Sequence, residues 1–236
     1  MLKIERTDAV MILTLDRPRA RNALNLDLTR ALRAEFAAFD ADASLRTMVI
    51  SATDPAFCAG LDLKDFSDAN SPRGEVSALL SEFPHRHKPV IGAINGAAMT
   101  GGLELALGCD FLIASERAVF GDTHSKIGAL AGGGMSSRLP HTIGYRWAKQ
   151  MSFTCLPIDA ATACRIGLVN EVVAHEALLP RALELAQAIA LWDTELIATV
   201  KDVLDRGAQT TLEESGRIEA SALAARKARG GMQWRG

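Results

Sequence analysis

Four short apolar runs, at 10–15 (VMILTL), 47–51 (TMVIS), 89–94 (PVIGAI) and 111–114 (FLIA), constrain this chain more than any other feature. Runs of this length, rich in β-branched residues and bounded by turn formers, read as buried strands. Between the first two, Leu28, Leu32, Phe36 and Phe39 recur at helical spacing, with Asn25 ahead of them as a cap. Between the last two, 102–108 reads as a short apolar helix. Strand, helix and strand repeated in this way predict an α/β fold with parallel strands. From Asp159 onward strands become scarce: 168–173 is one candidate, while 176–191, 194–206 and 210–229 read as helices. An α/β core is thus followed by a helical C-terminal part.

The 236 residues are 48% hydrophobic and 23% charged, the profile of a soluble globular protein with a sizeable core. A net charge of −2, with both signs interspersed, lacks the cationic field that nucleic-acid binding needs. Small basic clusters at Arg17, Arg19 and Arg21, and at Arg226, Lys227 and Arg229, suit a polyphosphate as well as they suit solvent. Cys58, Cys109, Cys155 and Cys164 are widely spaced and form no C-x-x-C, so neither zinc nor redox chemistry is indicated. His85 and His87 lack a third ligand nearby, and no metal is expected. Without an apolar signal core or a membrane-length apolar run, the expectation is a cytoplasmic protein with reduced thiols and no membrane partner.

Two glycine-bearing turns carry the chemistry. The first, 57–63 (FCAGLDL), follows a predicted strand and its loop, and leaves a backbone N–H free to face a ligand. The second, 95–106 (NGAAMTGGLELA), leads from a strand into a helix through Gly101 and Gly102. Glycine permits close backbone approach, and a helix start offers unpaired N–H groups with positive partial charge. Two such N–H groups aimed at one point form an oxyanion hole. Glu104 lies in the first turn of that helix, where the dipole alone favours a carboxylate by about 0.3–1 kcal/mol. Its apolar neighbours Leu103, Leu105 and Ala106, and the adjoining turn, also make it a candidate acid/base. Dinucleotide, P-loop, hydrolase-elbow and zinc-protease motifs do not occur.

Together the two segments resemble the signatures of the crotonase (enoyl-CoA hydratase/isomerase) superfamily, F-x-A-G-x-D-[LI] and N-G-x-x-x-G-G-x-x-[ED]-[LA]-A. The run 15–24 (LDRPRARNAL) resembles the family's L-x-R-P-x-x-x-N-A-L, and Phe120-Gly121 precedes a glycine cluster at 132–134. The resemblance implies a spiral core of repeated ββα units with a helical C-terminal region. Its division would be 1–190 for acyl-CoA binding and catalysis and 191–236 for trimerisation and pocket closure. It implies that the amides of Leu61 and Gly101 hold a thioester oxygen. Arg19, Ala20, Leu24, Ala59, Asp62 and Leu63 would line the coenzyme A end, Arg19 against phosphate. Coenzyme A then arrives only as part of the substrate, with no separate cofactor, and the assembly is a homotrimer or hexamer. Residues 77–83 and the region around Met135 would shape the acyl pocket.

Glu104 falls where the family places the first of two glutamates flanking the substrate double bond. The second belongs in F-G-x-P-E, but this chain reads 120–126 (FGDTHSK), so His124 stands at that position. An imidazole binds water and exchanges protons near neutral pH, which leaves Glu104 and His124 a usable pair. Asp122 is a second candidate to turn inward, and Gly132 matches the glycine that helps seat the catalytic water. Three readings stay open: hydration of a 2-enoyl-CoA, another reaction such as double-bond isomerisation, and acyl-CoA binding without catalysis.

Overall fold

The computed structural model describes residues 1–68 and 71–230. The chain opens with the antiparallel pair β1 (Leu2–Thr7) and β2 (Val10–Leu15), then α1 (Leu26–Ala41), capped by Asn25, whose side chain accepts from Leu28 N at 3.0 Å. Three further turns of the spiral follow. The first is β3 (Thr47–Ala52), β4 (Ala56–Cys58) and α2 (Arg73–Glu82). The second is β5 (Val90–Ile94), β6 (Ala97–Met99) and α3 (Gly101–Ala106). The third is β7 (Phe111–Ser115), β8 (Val119–Gly121) and α4 (Met135–Ile143). Then come α5 (Tyr145–Thr154), β9 (Ile158–Asp159), α6 (Ala160–Arg165), β10 (Glu171–Val173), α7 (Leu178–Ala190), α8 (Thr194–Gly207) and α9 (Leu212–Ala228).

The first strand of each turn joins a six-stranded sheet, ordered β1-β2-β3-β5-β7-β10 and parallel beyond its first pair. The second strand of turns two to four joins a smaller sheet, β4-β6-β8-β9. Each winding after the first therefore carries the chain from large sheet to small sheet to helix. The alternation of side chains along a strand divides the core accordingly. Val10, Val49, Ile91, Ala93 and Ile113 face α7 through Leu178, Ala182 and Ala186. Met11, Leu13, Met48, Ile50 and Leu112 face the other way, into one cluster with Leu28, Leu32, Phe36 and Phe39 of α1 and Phe57 and Phe120 of the small sheet.

The four apolar runs are strands and parallel to one another, as their composition predicts. The run 168–173 is shorter than expected: only Glu171–Val173 joins the ladder. Asn170 ends it by bonding Leu112 twice, through its side chain and its own amide. The short strands of the small sheet escape a reading by periodicity, because two or three residues show no period. Residues 231–236 of the expected 191–236 region lie outside the described residues. No described helix is long and apolar enough to cross a membrane.

Candidate active site

The site is built where the small sheet meets α3. Gly60 adopts φ +95°, and a β-carbon there would fall 2.1 Å from Thr100 Oγ1 and 3.2 Å from the Gly101 nitrogen. One on Gly102 would fall 2.1 Å from the Cys58 carbonyl oxygen. Only glycine lets the two turns touch. Leu61 bridges Leu24 as in a parallel ladder, with Leu24 N donating to Gly60 O at 2.7 Å and Asp62 N to Leu24 O at 2.9 Å. That pairing turns the Leu61 amide away from Leu24. Thr100, with φ 47°, holds a conformation that costs a β-branched residue of order 1–3 kcal/mol, and it reverses the chain immediately before Gly101. Among the described residues, neither the Leu61 amide nor the Gly101 amide has an acceptor. Two free N–H donors thus stand side by side.

Glu104, one turn further along α3, is 3% exposed. Its Oε1 accepts from Gly133 N at 2.8 Å and from Met135 N at 3.0 Å, the amides that open α4. A β-carbon on Gly133 would fall 2.7 Å from Glu104 Oε2. The carboxylate is consequently desolvated yet hydrogen-bonded, with its second oxygen uncommitted. Gly132 does not touch it: that glycine is exposed, and its missing side chain accommodates Ser77 of α2.

His124 is coupled to Glu104 electrostatically and to Asp122 directly. Asp122 Oδ1 lies 2.7 Å from His124 Nδ1 and also accepts from His124 N at 3.1 Å, while Oδ2 accepts from Ser152 Oγ at 2.6 Å. The hydrogen bond to Asp122 raises the imidazole pKa against the opposing effect of burial, and the negative charge of Glu104 adds to the rise. Burial pushes the Asp122 carboxyl up, but the bonds from His124 and Ser152 outweigh it and hold the group below its ordinary value. With Nδ1 committed, Nε2 has no hydrogen-bond partner among the described residues and can meet a ligand. Asp122, entertained from sequence as the replacement carboxylate, has both oxygens engaged. Its position orients His124.

The segment 17–24 is tied to both turns. Asn22 is fully buried; its Oδ1 accepts from Arg17 N, and its Nδ2 donates to Thr53 O and Ala56 O, each at 2.7 Å. Arg17 donates to the Ala23 carbonyl and pairs with Asp62 at 3.0 Å. Leu24 is buried beside Gly101. Arg19 and Leu63 are exposed, Ala20 and Ala59 half-buried, on the two segments that Arg17 and Asp62 hold together. Met135 and α2 residues Val76, Leu79 and Leu80 belong to the main core cluster. No group of three or more His, Cys, Asp or Glu able to hold a metal exists among the described residues.

Sequence reasoning named the 132–134 glycine cluster and the region around Met135 but missed that the Gly133 and Met135 amides hold Glu104, and it missed Ser152 altogether. Gly133 and Met135 act through backbone amides, and the only trace they leave is a glycine run ahead of a helix.

A family model described as enoyl-CoA hydratase/isomerase matches residues 5–233. The chain is 39% identical over 221 residues to a probable enoyl-CoA hydratase of Rhizobium meliloti, covering 92% of this chain and 86% of that one. It is 34% identical over 226 residues to the crotonyl-CoA hydratase of Syntrophomonas wolfei, covering 93% and 87%. The crystal structure of an enoyl-CoA hydratase from Bacillus anthracis superposes with a TM-score of 0.90 at 32% identity, covering 94% of this chain and 88% of that one.

Proposed function

The chain belongs to the enoyl-CoA hydratase/isomerase family, and from that premise we propose that it adds water across the double bond of a 2-trans-enoyl-CoA. The thioester oxygen accepts from the Leu61 and Gly101 amides, which stabilise the enolate formed when the β-carbon is attacked. Glu104 takes a proton from water as the oxygen bonds to the β-carbon. His124, as the imidazolium, gives a proton from Nε2 to the α-carbon, and the product is a 3-hydroxyacyl-CoA. The pair needs one proton at the start of the cycle, and the raised pKa of the imidazole favours the form that carries it. Exchange with solvent restores it. The same groups run the reverse dehydration.

The observation that carries this reading is the buried Glu104 carboxylate, held by two amides and coupled to an Asp122-oriented imidazole, beside two unpaired N–H donors. Gly132, next to the amide that holds Glu104, borders the water position. The coenzyme A moiety lies along Arg19, Ala20, Leu24, Ala59, Asp62 and Leu63, and it enters only as part of the substrate. Residues 1–190 bind and transform the acyl-CoA, while 191–236 close the pocket and assemble a trimer or hexamer in the cytoplasm. Exposed Leu196, Val200, Leu204, Leu212 and Leu223 on α8 and α9, helices that bury no residue of their own, support the assembly role.

Mixing the purified protein with crotonyl-CoA and, separately, with a 3-enoyl-CoA tests the reading. Loss of enoyl-thioester absorbance with formation of 3-hydroxybutyryl-CoA is the expected result. Conversion of the 3-enoyl-CoA alone would make the protein an isomerase, and acyl-CoA binding without turnover of either would remove the enzyme reading.

A further inference from the structure

The loop whose amides hold Glu104 is lashed to helix α2 chiefly by the side chain of Arg138. Arg138, in the first turn of α4, donates from Nη1 to Gly133 O at 2.8 Å and to Leu80 O at 3.2 Å, and from Nη2 to Ser81 O at 3.3 Å. Ser81 Oγ adds a bond to Gly132 O at 3.4 Å. The guanidinium lies over Gly134, where φ is +107° and a β-carbon would fall 2.4 Å from Nη1. A single peptide thus faces both ways: the 133 carbonyl accepts from Arg138, and the 133 amide donates to Glu104. The loop also packs directly on α2, since β-carbons at Gly132 and Gly133 would fall 2.9 Å from Ser77 Oγ and 2.7 Å from Leu80 Cβ.

From this arrangement we infer that Arg138 is a positioning residue for Glu104, fixing the catalytic carboxylate to helix α2 through the Gly133 peptide. The inference rests on the acid/base role of Glu104 proposed above. Three carbonyls on two chain segments converge on one planar, five-donor group, a task that a lysine ammonium fills only in part. The guanidinium adds a positive charge behind the carboxylate: burial draws its pKa down, and the Glu104 charge opposes that shift. Because α2 carries the residues expected to line the acyl pocket, Arg138 links acyl-chain packing to the placement of the acid/base group. On its other side the guanidinium borders a cavity of about 430 Å³ shared with His85, Leu107, His141 and Asp205, so truncation exposes the three carbonyls to water.

The test compares wild type, Glu104→Gln, Arg138→Met and Arg138→Lys in steady-state hydration of crotonyl-CoA, with thermal melting of each. Misplacing a catalytic group by an ångström costs on the order of 100-fold. Arg138→Met is therefore expected to lose about 10- to 100-fold in kcat with KM within about twofold of wild type. Arg138→Lys is expected to recover part of that loss. A folded Arg138→Met with wild-type kcat, alongside an inactive Glu104→Gln, would overturn the Arg138 role alone. Equal kcat for wild type and Glu104→Gln would overturn the Glu104 role and this inference with it. A parallel collapse of melting temperature, KM and kcat with no recovery by lysine would make Arg138 purely structural. If Arg138→Met does not fold, Arg138→Lys decides: reduced kcat at unchanged KM supports the inference, and wild-type kcat ends it.

Discussion

In the proposed mechanism His124 sets the pH dependence of the site. The hydrogen bond to Asp122, reinforced by the charge of Glu104, raises the imidazole pKa above its ordinary value of 6.5. The proposed mechanism uses the protonated form, so kcat should fall as pH rises through that raised value. Replacing Asp122 with Asn removes its charge and leaves a weaker, neutral acceptor for His124 Nδ1, so the alkaline fall in a pH-rate profile should move to lower pH. An unchanged profile in Asp122→Asn would separate His124 from the chemistry. Gly133 offers a steric counterpart. A β-carbon there meets Glu104 Oε2 at 2.7 Å, so Gly133→Ala should cut kcat by about 100-fold through displacement of the carboxylate, with substrate binding largely kept. Retention of full kcat would contradict the described cradle. The sequence made Glu104 and His124 visible because side-chain identity and motif position can be read along a chain. The Gly133 and Met135 amides carry no such identity, and Ser152 reaches Asp122 from 30 residues away, a contact that only the fold creates.

At the scale of elements, the two glycines of the α3 turn differ in what they permit. A β-carbon on Gly102 would overlap the Cys58 carbonyl at 2.1 Å, whereas on Gly101 its nearest neighbour is Gly60 Cα at 3.5 Å. Gly102→Ala should therefore drive α3 off β4 and destabilise the fold by at least about 1–3 kcal/mol, while Gly101→Ala should melt close to wild type. Equal melting temperatures for the two variants would contradict this packing. Asn22 ties the 17–24 segment to the start of β4 and the loop before it, and Asn22→Ala would leave buried groups unsatisfied at about 1–3 kcal/mol each. Long buried strands and the amphipathic α1 were legible because their periods extend over several residues. The small sheet was not, since its strands take their place from the spiral and not from local pattern. Strand β1 escaped for another reason: five of its six residues are exposed, so it lacks the apolar run that marked β2 and the others.

Among the described residues, a two-sheet spiral core carries a helical hairpin, α8 and α9, that buries no residue of its own. Lys201 of α8 pairs with Asp110 beside β7 and with Asp205 at 3.2 Å, and this ionic contact helps anchor the hairpin. The exposed leucines of α8 and α9 should be covered by further copies of the chain, so light scattering should report a trimer or a multiple of three. A monomer at working concentration would contradict that assignment. In the proposed mechanism Glu104 and His124 share the proton traffic of hydration above an oxyanion hole made by Leu61 and Gly101. The direct measurement is kcat on crotonyl-CoA for wild type, His124→Ala and His124→Glu, with Glu104→Gln as reference. Loss of about 10²- to 10⁴-fold in both His124→Ala and Glu104→Gln, with activity retained by His124→Glu, is the predicted result. An alanine variant that hydrates as fast as wild type, beside a glutamate variant that is far faster, would show that His124 is not the second group.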